Sequence, residues 1–211
     1  MAGSTGLSAA QRRALDRLSV AETFDQYCLV GGSAVAWHFG HRRSEDLDLF
    51  SIRSDAEPER LVGSITGARL LDVTDVIVRA LIDRVPVDVV RYPYAPIDAL
   101  QAGPHGIAIA GVRDLAAMKV AAIARRGLRR DFWDLQVIAQ HGTLGAAIDA
   151  YREKFGPAAA DVYPVLRALT WFEDAEAEGP LPRGLSARGW SRIKAFFLHG
   201  VPPLLAGSEW R

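Results

Sequence analysis

Short apolar runs and period-two alternation characterise the first half of the chain. Runs rich in β-branched or aromatic residues predict β-strands, and so does the alternation of Leu47 and Leu49 with Asp46 and Asp48. The predicted strands lie at residues 27–30, around 47–49, and at 69–73, 76–82 and 85–90. Helical periodicity predicts three helices among them, at residues 8–24, 33–39 and 57–65.

From residue 111 onward the pattern changes to a helical period. The predicted helices are separated by glycines and prolines, and they lie at residues 112–126, 129–141, 144–155, 161–177 and 186–199. We therefore expect two domains. The first, at residues 1–110, is an α/β (α+β) domain with a mixed sheet, and the second, at residues 111–211, is helical.

The composition excludes several classes of protein. The chain carries 25 Lys and Arg against 25 Asp and Glu, so it lacks the overall basic charge of a protein coated for nucleic acid. Its single cysteine, Cys28, excludes an internal disulfide and a cysteine-based zinc site. No apolar run reaches the roughly 18 residues that span a membrane, and the first residues do not form a secretory signal. We therefore expect a cytoplasmic protein.

Three acidic residues on two predicted strands are the main candidates for chemistry. Asp46 and Asp48 are two residues apart and share a strand face, while Leu47 and Leu49 point to the core. Asp88 is a single acid among valines, where a carboxylate is costly to bury without a partner. Hard oxygen ligands of this kind suit Mg²⁺. The alternative is a solvated strand face, on which alternating acids are also common.

A glycine pair lies between the first predicted strand and the helix that follows it. Gly31 and Gly32 let a backbone approach a phosphate closely, and Ser33 is the expected N-cap of a helix whose first N–H groups attract anions. An ordinary tight turn accounts for the same residues without any ligand.

Together these pieces resemble the nucleotidyltransferase signature of the DNA polymerase β superfamily. Residues 41–51 further resemble the corresponding motif of the AbiEii-like nucleotidyltransferases, the toxins of type IV toxin–antitoxin and abortive-infection systems. The resemblance continues in residues 112–119 and 129–135 and covers residues 27–140. It implies a polymerase-β-like nucleotidyltransferase domain followed by a helical domain, with a cleft between them.

The resemblance also implies a reaction and its residues. A nucleotide passes from an NTP to an acceptor hydroxyl, commonly the 3′ end of tRNA, and pyrophosphate is released, so that aminoacylation is blocked. Asp46, Asp48 and Asp88 hold Mg²⁺ or Mn²⁺, and Asp88 takes the proton of the hydroxyl. The implied nucleotide-binding residues are Gly31, Gly32, Ser33, Arg43, Ser44 and Lys119. A cognate antitoxin is the implied protein partner.

Lys119 is the only charged residue in the apolar stretch 115–124, and the chain contains only three lysines. The resemblance implies that it contacts nucleotide phosphates, whereas the alternative is a stem packed on the helix with its ammonium in solvent. Asp131 and Asp134 share a helix face, either as part of a surface ladder of ion pairs with Arg130 or as part of the active-site wall. Of these two acids, we favour Asp134 as the catalytic one.

The stretch 111–142 has six basic residues against three acids, Asp114, Asp131 and Asp134. This excess is explained equally well by a patch for an RNA backbone and by a solvated charged face. Trp133 and Trp171 occur at helical core spacing, and we expect both in the core rather than in contact with bases.

Two other functions fit the same pattern. A small-molecule nucleotidyltransferase of the aminoglycoside-modifying type shares the acids but uses no RNA acceptor. A non-catalytic regulatory module that binds a nucleotide retains the pattern without the reaction. The intact set of Asp46, Asp48 and Asp88 argues against this second alternative.

Overall fold

The computed structural model describes residues 6–207. The chain separates into two compact units, Met1–Gly111 and Val112–Arg211. The described part of the first unit combines a mixed sheet with three helices, and the second contains only helices and turns among its described residues. The expected fold class is thereby confirmed.

The first unit is built on a seven-stranded sheet within the described residues. The strands are β1 (Tyr27–Val30), β2 (Leu47–Ser51), β3 (Arg69–Val73), β4 (Ile77–Ile82), β5 (Val85–Val90), β6 (Gln101–Ala102) and β7 (Ala108–Ile109). Their order is β3-β4-β5-β2-β1-β7-β6. β1 pairs antiparallel with β2 and parallel with β7, and β2 pairs parallel with β5. β6 and β7 are too short to leave a pattern, and sequence analysis did not predict them.

The helices of the first unit are α1 (Ala9–Leu18), α2 (Gly31–Phe39) and α3 (Pro58–Gly63). α1 begins with a capping box between Ser8 and Gln11, and it ends at Leu18 rather than at the predicted residue 24. α2 begins directly after β1, with Val30 as its N-cap. The expectation that Ser33 caps this helix is therefore wrong. The positive φ of Gly31 lets the chain turn into the helix two residues earlier.

The two faces of the sheet differ most clearly in β2 and β5. In β2, Leu47 and Leu49 are fully buried, while Asp48 between them is half-buried. In β5, Val87 and Val89 are fully buried, and Asp88 between them is again half-buried. The alternation predicted from the sequence thus directs the valines and leucines to the core and the two acids to the opposite face.

The second unit consists of α4 (Val112–Arg126), α5 (Arg129–Gln140), α6 (Leu144–Phe155), α7 (Tyr163–Ala168), α8 (Glu173–Ala177) and α9 (Ala187–Ala206). The helix predicted at 161–177 is broken between α7 and α8. Trp171 lies in that break with 51 % of its surface exposed, so the expectation that it belongs to the core is wrong. α9 continues past residue 199, although Pro202 and Pro203 lie inside it.

Aromatic rings and buried ion pairs, among them that of Lys154 with Asp114, lie in the core of the second unit. Phe132 is fully buried, and its ring contacts those of Phe172, Trp190 and Phe197 at centroid distances of 5.2, 5.9 and 5.3 Å. The ammonium of Lys154 in α6 bonds the carboxylate of Asp114 in α4 at 2.6 Å, and both side chains are almost fully buried. None of the helices among residues 6–207 is both long enough and apolar enough to cross a membrane.

Candidate active site

The sheet places the three predicted acids near one another. Asp48 of β2 and Asp88 of β5 are register partners on adjacent parallel strands, so their side chains lie side by side on one face. Asp46 lies just before β2, and its negative charge acts on the carboxyl group of Asp88. Two residues that are 40 positions apart in the chain therefore become neighbours through the parallel pairing of β2 with β5.

Hydrogen bonds fix the loop that carries Asp46. The hydroxyl of Ser44 donates to Asp46 Oδ1 at 2.7 Å and orients this carboxylate. The hydroxyl of Ser33, which is fully buried, donates to the carbonyl oxygen of Asp46. Gln11 Nε2 donates to the same carbonyl at 2.9 Å. The hydroxyl of Ser33 therefore holds the acidic loop, instead of facing solvent as a phosphate ligand would.

The glycine pair at the start of α2 makes room for two charged side chains. A Cβ at Gly31 would overlap the carboxylate of Asp48, and the φ of +63° is itself unfavourable for other residues. A Cβ at Gly32 would instead meet the guanidinium of Arg42. Arg43, which sequence analysis proposed for phosphate contact, is exposed, and that contact stays a prediction, whereas Arg42 is the arginine beside Gly32. Adjacent arginines in a loop do not reveal which of the two turns toward the glycines.

Asp88 carries a negative charge that its surroundings compensate only in part. Burial raises the pKa of this carboxyl, and the charge of Asp46 acts in the same direction. Arg79 of β4, whose Nε lies 3.5 Å from Asp88 Oδ2, opposes this rise, but the pKa of Asp88 stays above its ordinary value. A raised pKa brings a carboxylate closer to the range in which it can accept a proton from a reacting hydroxyl.

The donor set of this site suits a hard divalent cation. Asp46, Asp48 and Asp88 supply carboxylate oxygens, and the pKa of Asp88 is raised first by burial and then by the charge of Asp46, which a cation would offset. Among residues 6–207, however, no three His, Cys, Asp or Glu side chains stand close enough together to hold a metal ion. The three acids thus share one region of the sheet without forming a closed set of ligands.

A second group of acids lies in the helical unit and is neutralised by cations. The ammonium of Lys119 in α4 lies 3.1 Å from Asp131 Oδ1 and 2.7 Å from Asp134 Oδ2, both in α5. Arg126 adds a further pair with Asp131, at 2.9 Å. Both carboxylates are fully buried, and only 6 % of the Lys119 side chain is exposed.

These distances decide between two of the alternatives that the sequence left open. The ammonium of Lys119 is not in solvent, and Asp131 and Asp134 are buried beside it rather than exposed on the surface of α5. Burial alone would raise the pKa of Asp131, but the charges and hydrogen bonds of Lys119 and Arg126 outweigh it, so this pKa lies below its ordinary value. The predicted contact of Lys119 with nucleotide phosphates stays a prediction.

Most of the basic residues in the stretch 111–142 already have partners inside the second unit. Arg113 pairs with Glu153, and Lys119 and Arg126 pair with the acids of α5. Arg129 is buried and donates to backbone carbonyls of residues 176, 178 and 179. Arg113, Arg125 and Arg126 are nevertheless exposed, so the patch for an RNA backbone stays a prediction.

Sequence comparison connects the chain with a family of enzymes. A family profile described as "Nucleotidyl transferase AbiEii toxin, Type IV TA system" matches residues 73–211. The matched segment includes Asp88, Lys119 and Asp134, whereas Asp46 and Asp48 precede it. An uncharacterised protein of Aquifex aeolicus (strain VF5) is 30% identical over 181 residues, which cover 80% of this chain and 84% of that protein.

Two solved structures are similar in fold. MenT4, a nucleotidyltransferase toxin of Mycobacterium tuberculosis H37Rv, is 20% identical with a TM-score of 0.63, over 89% of this chain and 80% of that chain. The antibiotic-resistance factor ANT(2'')-Ia is 12% identical with a TM-score of 0.53, over 68% of this chain and 90% of that chain. At these identities the similarity concerns the fold alone.

Proposed function

The chain belongs to the AbiEii family of nucleotidyltransferase toxins and is a nucleotidyltransferase, and we propose that it transfers a nucleotide from an NTP to the 3′ hydroxyl of tRNA with Mg²⁺ as its metal. The family implies an NTP substrate, a divalent metal and an antitoxin partner. The proposal adds four points: tRNA as the acceptor, Mg²⁺ as the metal, blocked aminoacylation as the toxic outcome, and the residues that carry out the transfer. Its setting is the cytoplasm, where tRNA is aminoacylated.

The observation that carries this proposal is the register pairing of Asp48 with Asp88 on β2 and β5, with Asp46 close by. Asp46, Asp48 and Asp88 are the residues that would hold the cation. When bound there, a divalent cation supplies positive charge to the phosphate oxygens on which negative charge develops. The hydrogen bond from the hydroxyl of Ser44 restrains the carboxylate of Asp46.

The reaction requires that the acceptor hydroxyl lose its proton as its oxygen attacks the α-phosphorus. The new bond joins the acceptor oxygen to the α-phosphorus, the bond to the β-phosphate oxygen breaks, and pyrophosphate leaves. Asp88 is the proposed acceptor of the proton, because its raised pKa suits general base catalysis better than an ordinary carboxylate would. Arg79, whose Nε lies 3.5 Å from Asp88 Oδ2, limits this rise of the pKa.

Gly31 and Gly32 are proposed to admit the phosphates to the backbone at the start of α2. The guanidinium of Arg42 beside Gly32 adds a cation suited to phosphate oxygens to the one that sequence analysis predicts at Arg43. Lys119 and Asp134 remain candidates from the family resemblance. Their mutual ion pair would present Lys119 as a fixed charge rather than a mobile one.

The reaction is tested by incubating the protein with Mg²⁺, total RNA and each of the four NTPs labelled at the α-phosphate, followed by separation on a gel. We expect label in the tRNA band, and we expect it to disappear when the RNA is first oxidised with periodate, which destroys the terminal ribose diol. Removal of metal with EDTA should stop the transfer, and Mg²⁺ should restore it.

A parallel reaction contains an aminoglycoside in place of RNA and tests the small-molecule alternative. Label on the aminoglycoside together with unlabelled RNA would replace the proposed acceptor while leaving the transferase activity intact. Label that persists on periodate-treated tRNA would overturn transfer to the 3′ end. Release of pyrophosphate in none of the reactions would contradict the proposed metal site as well.

A further inference from the structure

Gln11 of α1 is buried at a position where the helical pattern predicts an apolar residue. The buried residues of α1 are Gln11, Ala14, Leu15 and Leu18, which form the core-facing stripe of an amphipathic helix. Gln11 is 1 % exposed, and a buried carboxamide is costly unless it is hydrogen-bonded. Leucine would fill this place without that cost, so the contacts of the carboxamide indicate why glutamine is there.

The oxygen and the nitrogen of this carboxamide make different contacts. Oε1 accepts the backbone N–H of Ser8 at 2.8 Å, which completes the capping box of α1. Nε2 donates to the hydroxyl of Ser33 at 3.1 Å and to the carbonyl oxygen of Asp46 at 2.9 Å. Capping of the helix explains only the bond to Oε1. The two bonds of Nε2 instead join α1 to the start of α2 and to the loop that carries Asp46.

Ser33 links these hydrogen bonds into one group. Its hydroxyl accepts from Gln11 Nε2 and donates to the same carbonyl oxygen of Asp46, and the side chain is fully buried. The carbonyl of Asp46 therefore accepts hydrogen bonds from two buried side chains, which are also bonded to each other. Buried hydrogen bonds that are connected in this way strengthen one another and hold their members in one arrangement.

Asp46 depends on such support more than the other two acids of the sheet do. Asp48 and Asp88 are register partners within β2 and β5, so strand pairing fixes the backbone of each. Strand pairing of β2 begins at Leu47, one residue after Asp46. The hydroxyl of Ser44 restrains the carboxylate of Asp46. The hydrogen bonds to the carbonyl oxygen of Asp46 therefore set the position of the backbone from which this carboxylate extends.

We propose that Gln11 is a positioning residue of the transfer reaction and that it acts by fixing the backbone of Asp46 through Nε2. This inference rests on the proposed function, because that function gives Asp46 a share in holding the cation. It extends the site to α1, which precedes the segment that the family profile matches. Because Gln11 acts through Asp46 and not on the substrate, its replacement should weaken the metal site and leave the fold intact.

Two replacements of similar size separate capping from positioning. Gln11→Glu keeps an oxygen for the N–H of Ser8, and glutamate serves as well as glutamine in a capping box. Its second oxygen would face the carbonyl oxygen of Asp46 and repel it, at the place where Nε2 donates in the parent protein. Gln11→Met loses the hydrogen bond to Asp46 without adding a repulsion.

The matched control is Leu18→Ala, in the last turn of the same helix. Leu18 is fully buried, so this variant lowers stability by removing buried methyl groups, but it removes no hydrogen bond from the loop that carries Asp46. A melting curve of each full-length variant gives the temperature range in which it is folded, and all binding and turnover are measured within that range.

The first measurement requires no turnover. Binding of Mn²⁺ in the absence of NTP and RNA is followed by electron paramagnetic resonance, in which the free ion gives the sharp signal. We expect Gln11→Glu and Gln11→Met to bind Mn²⁺ about tenfold more weakly than the parent protein, as is usual when the support of a metal ligand is lost, and Leu18→Ala to bind as the parent does. Equal affinity in all of these proteins, or binding in none, would overturn the proposal.

The second measurement is pyrophosphate release in the transfer reaction. The kcat of Gln11→Met should fall by about tenfold and recover in part as Mg²⁺ is raised, because mass action refills a weakened metal site. The kcat of Gln11→Glu should fall further, and that of Leu18→Ala should stay at the parent value. A kcat that follows the melting temperature across the three variants would indicate a merely structural role and overturn the proposal.

The outcomes also separate this proposal from the proposed function. Parent-like Mn²⁺ binding and kcat in both Gln11 variants would overturn the positioning role and leave the transfer reaction intact. Weaker Mn²⁺ binding in these variants, together with a parent protein that releases no pyrophosphate, would support the positioning of Asp46 and contradict the reaction alone.

Discussion

The acids of the sheet and the acids of α5 have opposite surroundings. Asp48 and Asp88 are half-buried, and the one cation recorded beside Asp88 among the described residues, Arg79, lies 3.5 Å away. Asp131 and Asp134 are fully buried, and the ammonium of Lys119 lies between their carboxylates at 3.1 and 2.7 Å. The pKa of Asp88 is accordingly raised and that of Asp131 lowered.

This difference distinguishes a structural role of aspartate side chains from a chemical one. A carboxylate that is buried against a cation has its charge satisfied within the fold, and it contributes to the fold only while that cation is present. Asp88, by contrast, keeps a raised pKa because burial and the charge of Asp46 outweigh the effect of Arg79, and a divalent cation held by both acids would offset their repulsion. The second arrangement marks the place where we expect the chemistry.

The largest effect on stability should follow from removing the cation of the buried group. Lys119→Met leaves Asp134 without the ammonium at 2.7 Å and should lower the free energy of unfolding by about 3–5 kcal/mol. Lys194→Met is the matched control, because the Lys194–Glu176 pair is substantially exposed and its loss should change the free energy of unfolding far less. Equal losses in the two variants, measured by denaturant unfolding, would contradict the contrast between buried and exposed charges.

A smaller loss of stability is expected from a substitution of Gly31, whose backbone lies against the carboxylate of Asp48. Gly31→Ala introduces a Cβ into the space of the Asp48 carboxylate and places alanine at a φ of +63°. We expect a loss of about 1–2 kcal/mol from the backbone conformation alone, together with reduced transfer activity because the carboxylate must move. The control is Gly63→Ala, where a Cβ would meet no atom within 4 Å. Full activity in Gly31→Ala would show that the position of Asp48 is not critical.

The smallest expected change in stability comes from Asp88, and it depends on pH. Its pKa is higher in the folded chain than in the unfolded chain, so the stability that it contributes is present at acid pH and is lost as the pH rises through the folded value. Asp88→Asn should therefore be more stable than the parent protein at pH 7, by less than about 1 kcal/mol because the group is partly exposed. The gain should vanish near pH 3. If the stability gain of Asp88→Asn grew toward acid pH instead, the pKa of Asp88 would be lowered in the folded chain and not raised.

Much of the fold can be predicted from short-range patterns. The strands at residues 27–30, 69–73 and 85–90 and the helices at 112–126 and 144–155 have the predicted bounds, because each has a clear period and ends at a glycine or proline or at a change of period. The two-residue strands β6 and β7 have no period to detect. The break between α7 and α8 likewise leaves no signal that distinguishes it from a continuous helix.

Within the candidate site, sequence patterns predict only the relation between residues of the same helix or strand. The common face of Asp46 and Asp48 follows from their spacing, but the approach of Asp88 depends on the pairing of β2 with β5. The roles of Ser33 and Arg42 depend on which side chains fill the space around the start of α2. One signal could have revealed the pairing of Lys119. A lone cation on an apolar helix, followed by two acids on one face of the next helix, predicts that these charges meet.

The central claim is that Asp46, Asp48 and Asp88 at β2 and β5 carry out the reaction, and the most direct test is to measure pyrophosphate release and unfolding free energy in Asp48→Asn. The matched control is Glu45→Gln, which removes an exposed carboxylate from the same loop. We predict that Asp48→Asn loses about a thousandfold or more in turnover, equivalent to about 4 kcal/mol, while its free energy of unfolding is unchanged or higher, and that Glu45→Gln behaves as the parent protein does. Unchanged turnover in Asp48→Asn would contradict the claim.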